Sequence, residues 1–264
     1  MQIDEKDDVT CVKMDIVLGG QKINTVYAFL VDGMLIDTGP KHMEAELIPF
    51  YEAHAIDFVT LTHSHEDHSG TAPWLQQKYE VPIYVHANGV DICTQDWPYP
   101  KYRQMTWGRR VGFTATPFEN TIQSRNREWK VIYTPGHADD HVALFDEENG
   151  TLFSGDLFVS PKPKVIMSSE SIPQTMDSIR TLLYYDFDSI FCCHAGYVEN
   201  GKEMLKQKLD HLETLSEEVK ILHKEGLTVE EIRNKFYPKK YPVISVSGGE
   251  WDSLHIVSSI LEKE

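Results

Sequence analysis

Residues 63–68 read His-Ser-His-Glu-Asp-His and follow directly on the apolar run Phe58 to Thr62. That run is too short for a helix and reads as a buried strand, so three imidazoles and a carboxylate stand together in the turn at its end. Nothing in ordinary folding asks for such a cluster. In a turn, His63 and His65 can face one way while Asp67 and His68 bend round to a second point. One loop can then supply ligands to two neighbouring metals. Three further candidates also close strand-like runs and have small neighbours: His137 in YTPGHADDH, Asp156 in LFSGDLF and His194 in IFCCHAG. Imidazole nitrogen and carboxylate oxygen suit Zn²⁺ at about 2.0–2.2 Å and tolerate Mn²⁺ or Fe²⁺. Seven donors exceed the needs of one ion. They suit two ions about 3.5–4 Å apart, bridged by one carboxylate and a hydroxide.

The rest of the chain reads as an α/β protein. Strand-like runs CVKMDIV, VYAFLVD and GMLIDTG form an antiparallel meander up to Asp37, with turn residues between them. Helices are expected from about His42 to His54 and from Thr71 to Glu80, with a strand at Pro82 to His86. Further strands are expected at Trp129 to Tyr133, Val142 to Phe145, Thr151 to Ser154 and Ser189 to Cys193. After Gly201, Leu205, Leu209, Leu212, Leu215, Val219 and Leu222 form a helical apolar stripe, either core or the seam of a homodimer, and Gly226 stops it. A helix capped by Thr228 and Glu231 follows, and a last one is expected over Gly249 to Leu261. The chain therefore divides into 1–202, a catalytic domain, and 203–264, a helical subdomain.

With 264 residues, 41% of them hydrophobic, the chain can bury a full core. Its net charge of −16 repels nucleic acid and anionic lipid over most of the surface. There is no basic, apolar leader and no run long enough to cross a membrane. Cys11, Cys93, Cys192 and Cys193 are read as reduced thiols, which together predicts a soluble cytoplasmic protein acting on a small molecule. One stretch departs from the acidic average. Seven Lys or Arg lie between Lys101 and Lys130 against Glu119 and Glu128 alone. Arg103, Arg109 and Arg110 are expected to draw in an anionic substrate, and Tyr99, Tyr102, Trp107 and Arg109 to line its cleft. His141, with Asp139 and Asp140, is expected to support His137.

The series HxHxDH, GH, GD and a late His, running through roughly residues 10 to 200, resembles the metallo-β-lactamase superfamily. The resemblance implies a four-layer αββα sandwich with its metals at one edge between the sheets. By position, His63, His65 and His137 would hold one ion, and Asp67, His68 and His194 the other. Asp156 would bridge both, and Asp37 in the LIDTG turn would orient a ligand. Two dications would lower the pKa of a shared water and polarise the substrate oxygen, with catalysis depending on Asp67 and Asp156.

Within the superfamily, zinc lactamases are exported and often carry Cys where Asp156 stands. Acyl-homoserine lactonases have Tyr at the position of Val159, and flavodiiron reductases have Glu at the position of His65. The segment TPGHADDHVALFDEENGTLFSGD is similar to the glyoxalase II-like group, including the β-lactamase-like protein 2 type. The resemblance thus implies a dinuclear hydrolase of an ester, thioester or lactone. A single-strand endoribonuclease is the second reading, and a mononuclear iron persulfide dioxygenase the third.

Overall fold

The computed structural model describes residues 1–262. The first half of the chain runs β1 (Gln2–Lys6), β2 (Val9–Leu18), β3 (Gln21–Val31), β4 (Met34–Ile36), α1 (Glu44–Ala53), β5 (Phe58–Thr60), α2 (Glu66–Ser69), α3 (Ala72–Tyr79), β6 (Ile83–Val85), α4 (Val90–Cys93), α5 (Lys101–Trp107) and β7 (Thr116–Pro117). These strands make one sheet in chain order, antiparallel through β4 and parallel from β4 to β7. The second half runs β8 (Thr121–Gln123), β9 (Glu128–Tyr133), β10 (Val142–Asp146), β11 (Thr151–Gly155), β12 (Ile166–Met167), α6 (Ile172–Leu183), β13 (Ile190–Cys192), β14 (Gly196–Val198), α7 (Gly201–Lys224), α8 (Val229–Phe236), α9 (Pro242–Val246), β15 (Trp251–Asp252) and α10 (Leu254–Leu261). Here the sheet order is β14-β13-β11-β10-β9-β8, with β11 and β13 parallel.

The period-2 alternation of the strands sorts the core into three layers. Val9, Cys11, Phe29, Val31, Met34 and Ile36 point inward from the first sheet, onto Trp129, Leu144, Phe153 and Phe191 of the second. The alternate residues Val12, Met14, Leu30, Leu35 and Val59 face outward, under Leu47, Phe50 and Tyr51 of α1 and Leu75 of α3. On the far side, Ala143, Phe145, Leu152 and Ile190 pack beneath α6, α7, α8 and α10 in one continuous cluster. The result is the αββα order of layers. The stripe from Leu205 to Leu222 is core in this packing, and Thr228 and Glu231 form the expected reciprocal cap.

Several elements differ from the sequence reading. The last helix begins at Leu254, because Gly248 and Gly249 take left-handed conformations and Trp251–Asp252 pairs with Ile166–Met167 instead. The region from Lys101 to Trp107, for which no helix is expected from the sequence, is the short helix α5. Among the described residues, no helix is long and apolar enough to cross a membrane. All four cysteines are free and buried.

Candidate metal centre

The loop after β5 is held open by buried carboxylates. Asp37, left-handed at φ +55 just after β4, accepts the Thr62 N–H and the Thr62 hydroxyl, both at 2.8 Å. Asp tolerates that conformation better than a bulkier residue would. Asp140 accepts the Ser64 N–H at 2.8 Å, and the Ser69 hydroxyl donates back to Ser64 O and His65 O. Across the gap, the parallel register of β11 on β13 shifts between Phe153 and Gly155, which turns Asp156 out of the ladder toward this loop.

These supports bring all seven predicted donors together. In one group, His65 Nδ1 lies 2.9 Å from His63 Nε2 and 3.1 Å from His137 Nε2. In the other, Asp67 Oδ2 lies 3.4 Å from His194 Nε2 and 3.7 Å from His68 Nε2. Asp156 Oδ2 stands between the groups, 3.1 Å from His194 Nε2, 3.4 Å from His68 Nε2 and 3.6 Å from His137 Nε2.

The far sides of the rings fix their tautomers. His68 Nδ1 donates to Asp37 Oδ2 at 2.8 Å, His137 Nδ1 to Glu170 Oε2 at 3.0 Å, and His194 Nδ1 to Thr25 O at 2.7 Å. The Thr62 hydroxyl has given its proton to Asp37, so it accepts from His63 Nδ1 at 3.1 Å. In each case Nε2 is left facing the cluster. Burial drives His63 and His65 well below the ordinary imidazole range, into the neutral form that can ligate. Burial opposes charge on Asp156 as well, yet the adjacent His194 and His68 rings outweigh it and hold the carboxylate ionised.

This donor set fits divalent cations. Two ligands each about 2.1 Å from a tetrahedral ion stand about 3.4 Å apart, close to the spacings found within each group. His68 Nε2 and Asp156 Oδ1 are buried with no hydrogen-bond partner, which is costly for such atoms unless a cation satisfies them. Among the described residues, four groups bring their ligand atoms close enough to share an ion: His63, His65 and His137; His63, His68 and Asp156; Asp67, His68 and His194; and Asp37, His68 and Cys193.

The family model of the metallo-β-lactamase superfamily matches residues 24–194. The chain belongs to this superfamily. It is 28% identical over 159 residues to the probable metallo-hydrolase YybB of Bacillus subtilis, covering 57% of this chain and 71% of that one. It is also 30% identical over 128 residues to the thioesterase pkgB of Emericella nidulans, covering 47% of this chain and 32% of that protein. Among solved structures, a metallo-β-lactamase family protein of Thermus thermophilus superposes with a TM-score of 0.70 at 17% identity, over 97% of this chain and 94% of the other. That likeness extends the superfamily fold over the C-terminal helices.

The other expected site residues lie elsewhere. Tyr99 lines a separate cavity of about 250 Å³ with His65 and Arg103, and its hydroxyl is tied to Gly108 O and the Arg110 N–H. The Tyr102 hydroxyl is buried, Trp107 packs on the core beneath the first sheet, and Arg109 stacks over Trp97. None of these four lines the larger cavity, of about 310 Å³, beside Asp156.

Much of the basic stretch is already engaged, though Lys101 and Arg109 stay exposed. Arg103 pairs with Glu66 and Glu250, Arg125 with Asp57, Arg127 with Asp8, and Lys130 with Glu147, while Arg110 donates to the carbonyls of Cys93 and Ile92. Four of the seven charges clustered along the chain are thus paired with acids in space.

His141 supports Asp156 rather than His137: its Nε2 accepts the Asp156 N–H at 3.0 Å. Cys193, expected as core, is buried, and its thiol also donates to Asp37 Oδ2 at 2.9 Å. Glu170 was not anticipated, because it has no motif around it and its link to His137 spans 33 residues.

Gly155 makes the support from His141 possible. At φ +50, a Cβ there would stand 2.4 Å from His141 Nε2 and 3.0 Å from Thr62 Cβ. Gly155→Ala is expected to destabilise the fold by about 1–3 kcal/mol, from overpacking and a conformation alanine disfavours. It should also loosen the ions through Asp156. Urea unfolding and competition with a graded series of chelators read the two effects separately.

Proposed function

We propose that the chain is a dinuclear zinc hydrolase that cleaves an acyl bond, with thioesters as its first class of substrate and esters and lactones as related ones. The observation that carries this reading is Asp156 Oδ2, which lies within 3.6 Å of nitrogens from both donor groups. His63, His65 and His137 would hold one ion, Asp67, His68 and His194 the other, and Asp156 both. When bound, such ions acidify water and polarise the acyl oxygen.

The chain's own residues do the rest. Buried Asp67 is held ionised against its burial by His68 and His194, so its carboxylate can take the proton that water gives up and return it to the leaving group. In thioester hydrolysis the water oxygen forms the new C–O bond. The C–S electron pair leaves with sulfur, which takes that proton. Asp37, Glu170, Thr25 and Thr62 keep the rings aimed, so little reorganisation is needed on the way to the transition state.

The likeness to a protein named as a thioesterase supports the substrate class. A donor set shared between two groups is more than a mononuclear iron dioxygenase needs. The net charge of −16 and the pairing of four of the seven cations of the basic stretch with acids disfavour a long polyanion. Zinc-loaded protein screened against acyl thioesters, esters, lactones, phosphodiesters and short RNAs should turn over thioesters best. Cleavage confined to RNA or phosphodiesters, or a single iron per chain by elemental analysis, would reject the proposal.

A further inference from the structure

Lys208 is the one buried lysine among the described residues, with 7% of its surface exposed. It rises from α7 and lines the 310 Å³ cavity beside Asp156. Its ammonium donates to Leu157 O at 2.7 Å and Phe158 O at 2.8 Å, and among the described residues none of its bonds is to a carboxylate. Two of its three N–H groups are thereby used. A buried cation without a counter-ion is destabilising, so its place in a cavity wall calls for a ligand. Burial lowers its pKa to about 8, against the pull of Glu170, Cys192 and Asp156, so it remains largely protonated at neutral pH.

The other acid at this wall is already engaged, since Glu170 accepts from His137 Nδ1 and from the Met167 N–H. Lys164 also lines the cavity, exposed at its mouth, and the backbone there is pinned by the Ser253 hydroxyl on Lys164 O at 2.6 Å. The same cavity is also lined by the apolar side chains Leu157, Val159, Ile166 and Trp251. A buried cation, metal-ligating donors and hydrocarbon lining one cavity match a short chain with a carboxylate at its far end.

We propose that the cavity selects acyl groups carrying a terminal carboxylate, which Lys208 receives with help from Lys164, while the chain lies along the apolar wall and the scissile carbonyl faces Asp156. This rests on the hydrolase reading above and names its substrate class as ω-carboxyacyl thioesters. A more highly charged phosphate is less suited, because Asp156 shares the same cavity and repels it.

Glutaryl and pentanoyl thioesters of N-acetylcysteamine have the same acyl length and differ in the terminal carboxylate, so they isolate that contact. The zinc-loaded protein should favour the glutaryl thioester by about tenfold or more in kcat/KM, as a charge-assisted hydrogen bond would give. Lys208→Met should erase that ratio. Lys164→Met should lower it about threefold, mainly through KM, as expected for an exposed charge. Free glutarate should compete with substrate in the unaltered protein and do so about tenfold more weakly after Lys208→Met.

Should Lys208→Met fail to fold, as read by its melting curve, the Lys164→Met ratio and competition by glutarate against pentanoate still decide. Equal turnover of both thioesters, or a preference that survives Lys208→Met, overturns the inference while leaving the hydrolase intact. If neither thioester is cleaved, the hydrolase reading is what fails. Calorimetry with glutarate then decides the carboxylate site alone: binding lost on Lys208→Met supports it, and no binding to the unaltered protein rejects it.

Discussion

Asp156→Ala is expected to reduce turnover by about a thousandfold and to release ions from both donor groups. The reason is the position of a single oxygen. Asp156 Oδ2 contacts nitrogens of His194, His68 and His137, so its loss removes a shared ligand and the negative charge that offsets the repulsion of two dications. Asp67→Ala provides the contrast, because Asp67 Oδ2 contacts only His68 and His194 within the cluster. That variant should empty mainly the group it belongs to. Elemental analysis of both proteins, purified side by side in zinc, separates the two patterns. Retention of both ions and near-normal turnover by Asp156→Ala would refute the bridging role.

Arg103→Met is expected to cost about 3–5 kcal/mol of stability. Arg103 grips Glu66 with two bonds, at 2.5 and 2.7 Å, and reaches Glu250 at 3.1 Å. Only 12% of the Arg103 side chain and 3% of the Glu66 side chain are exposed. Removing the guanidinium strands a buried carboxylate between His65 and Asp67. Combining Arg103→Met with Glu66→Gln removes that charge and should recover most of the loss. Urea titrations of the two single variants and the double variant test this as a cycle. A cost below about 1 kcal/mol for Arg103→Met would mean that the pair contributes no more than an ordinary surface bridge.

The donor residues were legible in the sequence because their signal is local. His63 to His68 form one loop that runs into α2, and His137, Asp156 and His194 each follow closely on a strand among small residues. The strand periodicity was legible for the same reason, since alternate faces of β2 and β3 pack into different layers. Helix α6 was obscured because its buried face carries Thr175 and Ser178 among Ile172, Met176, Ile179 and Leu182. Ser178 is there to donate to Pro135 O, a partner 43 residues away.

The ladder of β12 and β15 is two residues wide and joins segments far apart in sequence, so no local pattern announces it. The partners of the basic stretch are equally remote. Asp57 and Asp8 meet Arg125 and Arg127 only once the sheets are formed, and a charge count along the chain does not contain that information. Lys208 was hidden in a stripe of leucines that explains its helix without it.

The division of the donors between the sheets sets a timetable for the molecule's maturation. His63, His65, Asp67 and His68 hang from strands completed early in the chain, whereas His137, Asp156 and His194 belong to the sheet that follows. A nascent chain that has built only its first sheet offers an incomplete claw with no shared carboxylate. Tight capture of the ions must wait until the second sheet docks and the Tyr27 N–H closes on Cys193 O at 2.7 Å. Metal uptake is then a signal that both halves have been made and joined.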